Sequence, residues 1–375
     1  MSSKVLVTGG AGFIGSFLVD ELVRQGHQVR ILDSFVHQVH QGKVPKHLNQ
    51  DAEIMVGDVR DRAALKRALD GVDYVFHEAA EVGVGQSMYE ISRYVDSNIL
   101  GTANLLDVVV NNPEIKSRLK KIVVAASMSS YGEGLYECKT CGLVNPPLRP
   151  VDQMARKDWE LHCPRCNTML KPIPTTESKL QEVNSVYAIT KKTQEDLVHN
   201  VGSAYNIPTV ALRYFNVYGP RQSLSNPYTG VAAIFMSRLK NNQAPVVFED
   251  GNQSRDFISV HDIVQANLLA MESDKANYQS FNVASGKVTS IGEVGEILAA
   301  VTGKQISPQV THQFRKGDVR HCFADIGKIK SSLGFKPNVS FQDGMQELVE
   351  WSHSTEARDM VSQATLELKS KGLLH

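Results

Sequence analysis

The sequence has no surplus of either charge: 40 Lys and Arg stand against 40 Asp and Glu in 375 residues. Without a net field, nothing holds the chain as a whole on DNA, RNA or an anionic membrane, so any anionic ligand must be met by local groups. No apolar run approaches the ~20 residues of a membrane span. The chain enters the apolar stretch Lys4-Val5-Leu6-Val7 without a charged prefix, a long apolar region or a small-residue cleavage site. Cysteine is scarce, five in all, and under cellular reductants so few thiols build no disulfide framework. Repeats and low-complexity tracts are also missing. The expectation is a cytoplasmic protein that binds neither nucleic acid nor membrane. What is present is size: 42% hydrophobic residues in a chain of this length suffice for a large α/β domain and a smaller lobe.

Short apolar strands are expected at 4–8, 28–32, 53–56, 73–76, 121–126 and 209–213, alternating with helix-period stretches at 13–25, 61–70, 93–110 and 185–204. That alternation is the signature of a parallel, doubly wound sheet with right-handed crossovers. From Val217 the pattern becomes irregular and turn-rich, at Gly219-Pro220, Asn226-Pro227, Asp250-Gly251 and Ser285-Gly286. The fold class expected is α/β: a Rossmann-type doubly wound parallel sheet with a smaller C-terminal substrate lobe and a zinc-ribbon-like insert. The dinucleotide domain would take 1–135, 175–217 and about 256–275. The insert would be 136–174, the lobe 218–255 and 276–355, and the tail 356–375.

Thr8-Gly9-Gly10-Ala11-Gly12-Phe13-Ile14-Gly15 follows the first strand and opens a helix. In that context Gly9 allows a tight turn, Gly12 lets the backbone approach a pyrophosphate, and Gly15 lets the helix pack closely. Unpaired N–H groups and the positive dipole end of the helix then face the phosphates. Asp33 ends the second strand, where a carboxylate accepts the ribose hydroxyls and repels a 2′-phosphate, which favours NAD over NADP. Asp58, at the third strand end, could meet the adenine or cap the following helix.

Tyr187-Ala188-Ile189-Thr190-Lys191 lies in a helical stretch, so the two ionisable side chains share one face about 6 Å apart along the axis. A free phenol titrates near pH 10, so Tyr187 needs positive neighbours to act as a base near neutrality. Lys191 is one such neighbour and oxidised nicotinamide would be another. At the carboxyl end of the 121–126 strand, where ligands bind in open sheets, Ser127 could hydrogen-bond a reacting substrate oxygen. Its alternative is to satisfy the strand end.

Cys138-Lys139-Thr140-Cys141 and Cys163-Pro164-Arg165-Cys166 form two Cys-x-x-Cys knuckles separated by 21 residues, close to zinc-ribbon spacing. Cys138, Cys141, Cys163 and Cys166 would complete a tetrahedral, closed and therefore structural zinc site, with iron the alternative. His162 beside them is superfluous, and Cys322 reads as a buried small hydrophobe. The insert begins shortly after Ser127 and ends before Tyr187, so it is expected to emerge beside the substrate mouth as a metal-tied flap that shapes or covers the pocket. Residues 138–172 hold six Lys or Arg against three Asp or Glu, without the basic-aromatic interleaving of a nucleic-acid platform.

Together the glycine turn, Asp33, the Ser127 segment, Tyr187/Lys191 and Arg213-Tyr214-Phe215-Asn216-Val217-Tyr218-Gly219-Pro220-Arg221 resemble the extended short-chain dehydrogenase/reductase family, in its nucleotide-sugar branch. The resemblance covers nearly the whole chain outside 136–174. It implies NAD contacts at Gly9, Gly12, Phe13, Ile14, Gly15, Asp33, Asp58, Val59, Ala79, Asn98, Tyr187, Lys191 and Tyr214. It also implies a nucleotide-sugar held by Ser127, Ser129, Asn216, Arg255, Arg315 and Asp318, and a homodimer built on 93–110 and 185–204. For each Arg the alternative is an ion pair.

In this family Tyr takes the 4-hydroxyl proton while C4 gives its hydride to NAD, and members differ in the fate of the 4-keto sugar. Dehydratases place an Asp-Glu pair directly after the catalytic Ser or Thr, where this chain has Met128 and Ser129. Neither ionises, so proton chemistry at C5 lacks its catalysts. Epimerisation at C4 remains. The segments 82–91, 224–230 and 317–323 look most like epimerases acting on dTDP-L-rhamnose, with a UDP-hexose or UDP-uronic acid as alternative. Val82 stands where galactose epimerases similar to this chain have Lys. The remaining alternative is a non-catalytic NAD-binding regulator, against which the retained Ser127, Tyr187 and Lys191 argue.

Overall fold

The computed structural model describes residues 2–375. Seven strands make one parallel sheet in the order Gln279–Val283, Thr209–Tyr214, Lys121–Ser127, Tyr74–His77, Lys4–Thr8, Gln28–Asp33, Glu53–Val56. The chain starts in the middle, winds outward to Glu53–Val56, then crosses back to Tyr74–His77 and winds the other way. This reversal beside Lys4–Thr8 is the switch point at which ligands bind in such sheets. Alternate residues of the central strand serve opposite faces. Val5 and Val7 pack with Leu18, Leu22 and Ile263 on one side, and Leu6 packs with Leu65, Leu105 and Val198 on the other. Burial on both faces is why these strands read as continuous apolar runs.

Three expectations need correction. The seventh strand, Gln279–Val283, falls within the stretch assigned to the substrate lobe, yet it pairs in parallel with Thr209–Tyr214. As an edge strand it alternates polar and apolar residues, so Gln-Ser-Phe-Asn-Val shows no apolar run. Residues Cys322, Ala324, Ile326, Ile329 and Phe335 likewise pack into the main core, so the lobe is interrupted a second time. Finally, the helix expected over 93–110 runs unbroken from Ile91 to Asn111 but is not α-helical throughout: a π-helical turn, Val95–Leu100, lies between Ile91–Tyr94 and Gly101–Asn111. Such turns are local departures that re-aim a side chain, and here the residue re-aimed is Asn98.

The lobe has its own core, formed by helices Val231–Lys240, Ile291–Val301 and Phe341–His353 around Phe235, Leu239, Leu298 and Leu348. The insert is a three-stranded antiparallel sheet, with Leu135–Cys138 between Gly142–Val144 and Lys171–Ile173. The stretch expected as a tail contains a helix, Val361–Ser370. Among the described residues no helix is long and apolar enough to cross a membrane.

Buried charge joins insert to lobe. Arg149 of the insert forks onto Glu249 with bonds of 2.7 and 2.8 Å, both side chains being 1% exposed. Arg320 reaches the same carboxylate at 3.1 Å, Asp250 at 2.6 Å and Glu160 of the insert at 2.6 Å. Removing one partner of a buried pair strands the other, at about 3 to 5 kcal/mol, whereas replacing both with apolar groups is far cheaper. Glu249→Gln should therefore destabilise the protein by about 3 kcal/mol in denaturant unfolding. The double variant Glu249→Leu/Arg149→Met should recover most of that loss, and equal instability of the two proteins would contradict this account.

Candidate active site

The cleft lies at the carboxyl ends of the central strands, as a cavity of about 390 Å³. Its floor is the glycine turn. Gly9 has φ +69, and a Cβ there would come within 2.8 Å of Ala79. A Cβ on Gly15 would sit 2.3 Å from the Gly9 carbonyl oxygen, so this glycine lets the helix close on the turn itself. Helix Phe13–Arg24 starts at Gly12 with no side-chain cap, which leaves its first N–H groups free for an anion. Asp33 accepts the Ala11 N–H at 3.0 Å and the Phe35 N–H at 2.9 Å, and these two bonds hold its carboxylate in the cavity wall. Phe13, Ile14, Asp58, Val59 and Ala79 line the same cavity. Asp58 pairs with Arg60 at 2.6 Å, while the cap of the next helix is Asp61. The turn, the uncapped helix and the aimed carboxylate fit a dinucleotide.

Across the cleft, helix Val186–Tyr205, capped by Ser185, presents Tyr187 and Lys191. Ser127, Tyr187 and Lys191 line the cavity together. Lys191 Nζ donates to the Ala125 carbonyl at 2.8 Å, which ties the helix to the strand that ends in Ser127. Burial pushes the Tyr187 phenol up to about 12, opposed by a hydrogen bond with Ser127. Burial likewise lowers the Lys191 ammonium to about 8, opposed by the charge of Glu78. Ser127 also caps the turn Met128–Tyr131, its Oγ accepting from Ser129 N–H at 3.2 Å and Ser129 Oγ at 2.9 Å. The strand-end reading of Ser127 therefore holds, on a residue that also lines the cavity. Ser129 does not line the cavity but stands behind Ser127.

Two other expected NAD contacts are placed differently. Asn98 is fully buried and absent from the cavity wall. Its side chain accepts from Glu81 N–H at 2.7 Å and donates to the Glu81 carbonyl at 3.1 Å and to Thr190 Oγ1 at 2.9 Å. The π turn thus aims Asn98 at the joint between a cleft loop and the catalytic helix. Tyr214 does line the cavity, but its hydroxyl is held by Glu78 at 2.9 Å and Asn267 at 3.0 Å.

Of the expected substrate residues, Asn216 lines the cavity with its Oδ1 buried and without a protein partner. Arg255, Arg315 and Asp318 come together in the lobe outside the cavity wall. Asp318 receives Arg315 at 2.7 Å and Arg255 at 3.8 Å. Burial raises its carboxyl, but these two guanidinium groups bring it below its ordinary range. Arg255 otherwise donates to the carbonyls of Ser254, Val319 and Arg320. In this state both arginines are engaged as the ion-pair alternative has it. Sequence reading missed Glu78, Glu81 and Arg221, which all line the cavity. Glu78 stands next to Ala79 just past a strand end, the place where open sheets carry ligand groups, and that position was the only available signal.

With this geometry established, comparison with known proteins is informative. Residues 5–153 match the NAD dependent epimerase/dehydratase family, and residues 169–348 match a family described as GDP-mannose 4,6 dehydratase. The dTDP-L-rhamnose 4-epimerase of Burkholderia thailandensis is 35% identical, over 93% of this chain and 94% of its own. The UDP-glucose 4-epimerase of Thermotoga maritima, solved with UDP-glucose, superposes with a TM-score of 0.76 at 31% identity, covering 93% of this chain and 98% of its own. The UDP-glucuronic acid 4-epimerase of Bacillus cereus, solved with its sugar nucleotide and NAD, gives 0.74 at 27% identity, covering 93% and 98%. The chain belongs to the NAD-dependent epimerase/dehydratase family. It is an enzyme of the isomerase class, and its extended short-chain dehydrogenase/reductase architecture agrees with the resemblance read from the motifs.

Outside its catalytic cleft, this epimerase/dehydratase-family chain gathers Cys138, Cys141, Cys163 and Cys166 with all four sulfurs within 4.8 Å of one another. Cys138 Sγ and Cys166 Sγ are 3.5 Å apart and no disulfide forms. Bonds of ~2.3 Å to a tetrahedral metal give sulfur separations of about 3.8 Å, so the cluster could hold a metal ion. His162 is held by Asp158 at 3.0 Å instead. No residue of 136–174 lines the catalytic cavity, which corrects the expected flap. The insert docks on the lobe through Arg149 and Glu160, because its buried charges find their partners there. Cys322 is buried in a short strand, and burial pushes its thiol up to about 12.

Glu78 is a half-buried acid of the cleft, next to Lys191 and Tyr214. Burial pushes its carboxyl up to about 7, against the Tyr214 hydrogen bond and the Lys191 charge. Its negative charge raises Lys191, so Glu78→Gln should let the ammonium deprotonate at lower pH. The alkaline limb of the pH–rate profile should then move to lower pH, and an unmoved or alkaline-shifted limb would show that the two groups do not communicate.

Proposed function

We propose that the protein is an NAD-dependent nucleotide-sugar 4-epimerase working through a transient 4-keto sugar, with dTDP-L-rhamnose and dTDP-6-deoxy-L-talose as its substrate pair. The observation that carries this is the convergence of Ser127, Tyr187 and Lys191 on one cavity with the dinucleotide turn, where Met128 and Ser129 follow Ser127 in place of acids. Bound NAD would supply a hydride acceptor and donor opposite C4. Ser127 orients the 4-oxygen, and Tyr187 takes its proton once Lys191 has favoured the phenolate. With no acid/base pair beside Ser127 to work at C5, the keto sugar keeps its C6 substituent. Tyr187 then returns the proton after the sugar has turned over, and the other C4 epimer leaves.

The same site would hold NAD through Gly9, Gly12, Phe13, Ile14, Gly15, Asp33, Asp58, Val59 and Ala79. Asn216 would meet the nucleotide-sugar, a reading supported by its unpartnered buried oxygen in the cavity wall. Arg255 and Arg315 would exchange part of their pairing with Asp318 for diphosphate oxygens, which guanidinium groups bind through paired bonds. Similarity to the B. thailandensis epimerase favours dTDP-L-rhamnose. A UDP-hexose or UDP-uronic acid is the second reading, favoured by the solved relatives, and Val82 in the cavity wall speaks mildly against UDP-galactose.

The four-cysteine cluster is assigned to structural zinc, whose closed shell leaves no position for substrate. Stoichiometric zinc in purified protein by elemental analysis supports this, and iron or no metal refutes it. Thiolates kept for a metal suit a reducing, cytoplasmic setting. Ile91, Leu100 and Ile189 are 52%, 46% and 46% exposed on the two helices expected to pair. That apolar surface supports a homodimer, for which the solution mass is the check.

Tyr187→Phe should lower turnover by about a thousandfold or more while leaving bound NAD unchanged. The assay is NMR detection of epimers from a panel of dTDP- and UDP-sugars without added NAD. Undiminished epimerisation by the variant would sink the mechanism.

A further inference from the structure

The stretch 361–375 has no task in the reaction above, yet it is bonded to segments that adjoin the walls of the site. Glu367 Oε2 accepts the Tyr228 hydroxyl at 2.7 Å, and Tyr228 in turn accepts the Tyr89 hydroxyl at 2.6 Å. One residue on, the Leu368 side chain lies over Gly85, where an added Cβ would be 3.3 Å from it. The chain end then pairs with the lobe: Phe314 and His375 exchange backbone bonds of 3.0 Å, and Lys316 N–H reaches Leu373 at 3.1 Å. Helix and chain end together form a strap across three separate segments.

Two of those segments lead to the reacting centre. In the short helix Val84–Ser87, Ser87 Oγ accepts the backbone N–H of Tyr187 at 3.0 Å. Gln86 of the same helix accepts the hydroxyl of Tyr94 at 3.1 Å, and the Tyr94 ring stands edge-on to Tyr187 with 6.4 Å between centroids. Tyr228 lies between Asn226 and Thr229, both in the cavity wall. The strap therefore grips one loop that holds the catalytic tyrosine and another that faces it. Burial raises both Tyr89 and Tyr228 above their ordinary range, Tyr89 to about 12. Both stay protonated, so the chain of donors runs one way and ends on the acceptor-only Glu367.

We propose that the C-terminal strap closes the hexose side of the cleft, and that Glu367 is a positioning residue that sets affinity for the sugar through Tyr228 and Tyr89. This rests on the nucleotide-sugar reading. The strap touches neither the glycine turn nor Asp33, so its effect falls on the sugar and not on NAD.

The test measures binding to NAD-loaded, full-length Tyr187→Phe protein by calorimetry, using dTDP-L-rhamnose and UDP-glucuronic acid, with dTDP and UDP as controls. A lost positioning bond of about 1.4 kcal/mol is about a tenfold change in affinity. Glu367→Ala should weaken the sugar nucleotide that binds best by about tenfold and leave its free nucleotide unchanged. Tyr228→Phe should do the same, and Glu367→Gln, which still accepts from Tyr228, should bind nearly as the parent does. Equal weakening of sugar nucleotide and free nucleotide, no change in either, or Gln as damaging as Ala would each overturn the proposal. Failure of the epimerase reading shows elsewhere, as turnover that survives Tyr187→Phe in the otherwise native chain.

Discussion

The site depends on keeping one cation, the Lys191 ammonium, in a place that disfavours charge. Burial raises Tyr187 to about 12 and lowers Lys191 to about 8, so the cleft by itself opposes the ionisation that chemistry requires. A unit charge ~5 Å away at an effective dielectric of about 20 is worth about 3 kcal/mol, or about two pKa units. One such cation would offset part of that rise, and a second, on an oxidised nicotinamide, would add to the effect. The low dielectric that penalises both groups also strengthens their attraction. The Ala125 carbonyl and Glu78 keep Lys191 charged. Under the proposed reading, cofactor occupancy would then bear on Tyr187 through electrostatics alone.

How much was legible in the sequence depends on how local each signal is. The glycine turn, Asp33 and the Tyr187/Lys191 pair are set by spacings of a few residues, and helix or strand geometry carries them to their places. Five strands could be read because both faces are largely buried, and the edge strand Glu53–Val56, although exposed, because its apolar run Ile54-Met55-Val56 is continuous. The seventh, Gln279–Val283, could not, since an edge strand alternates and its polar residues pass for a loop. Asn98 was singled out for a role at the cofactor, but a π turn, which no periodicity announces, aims it at Glu81 and Thr190. Glu78 carries no motif. Its importance comes from burial beside Lys191 and Tyr214, residues more than a hundred positions away. The two Cys-x-x-Cys knuckles were legible as a cluster, but the surface on which the insert docks depends on Arg149 finding Glu249, which no local pattern records.

That docking is made of charge where apolar packing would have been cheaper. A buried ion pair gains little net stability, because desolvation offsets most of the attraction. What it supplies is register: Arg149 makes its paired carboxylate bonds against Glu249, and Arg320 bridges Glu249, Asp250 and Glu160. An apolar contact between insert and lobe would tolerate sliding by a few ångströms, whereas stranded charges would not.

The strictness of that register matters because of where it is applied. Arg149 also donates to the Asp318 carbonyl at 3.2 Å, and Asp318 is the carboxylate that holds Arg255 and Arg315. From the other side, Phe314 is packed between Trp159 of the insert, at 6.3 Å, and the ring of His375, at 5.5 Å. Insert and chain end thus meet on the segment 314–318, which bears Arg315 and Asp318, while the other half of the strap holds the loops at 85–89 and 228. Ser127, Tyr187 and Lys191 sit on the sheet and its helix. Neither 314–318 nor 85–89 lines the cavity itself, so under the nucleotide-sugar reading the two additions would act on the sugar only through neighbouring wall residues such as Val82, Asn226 and Thr229.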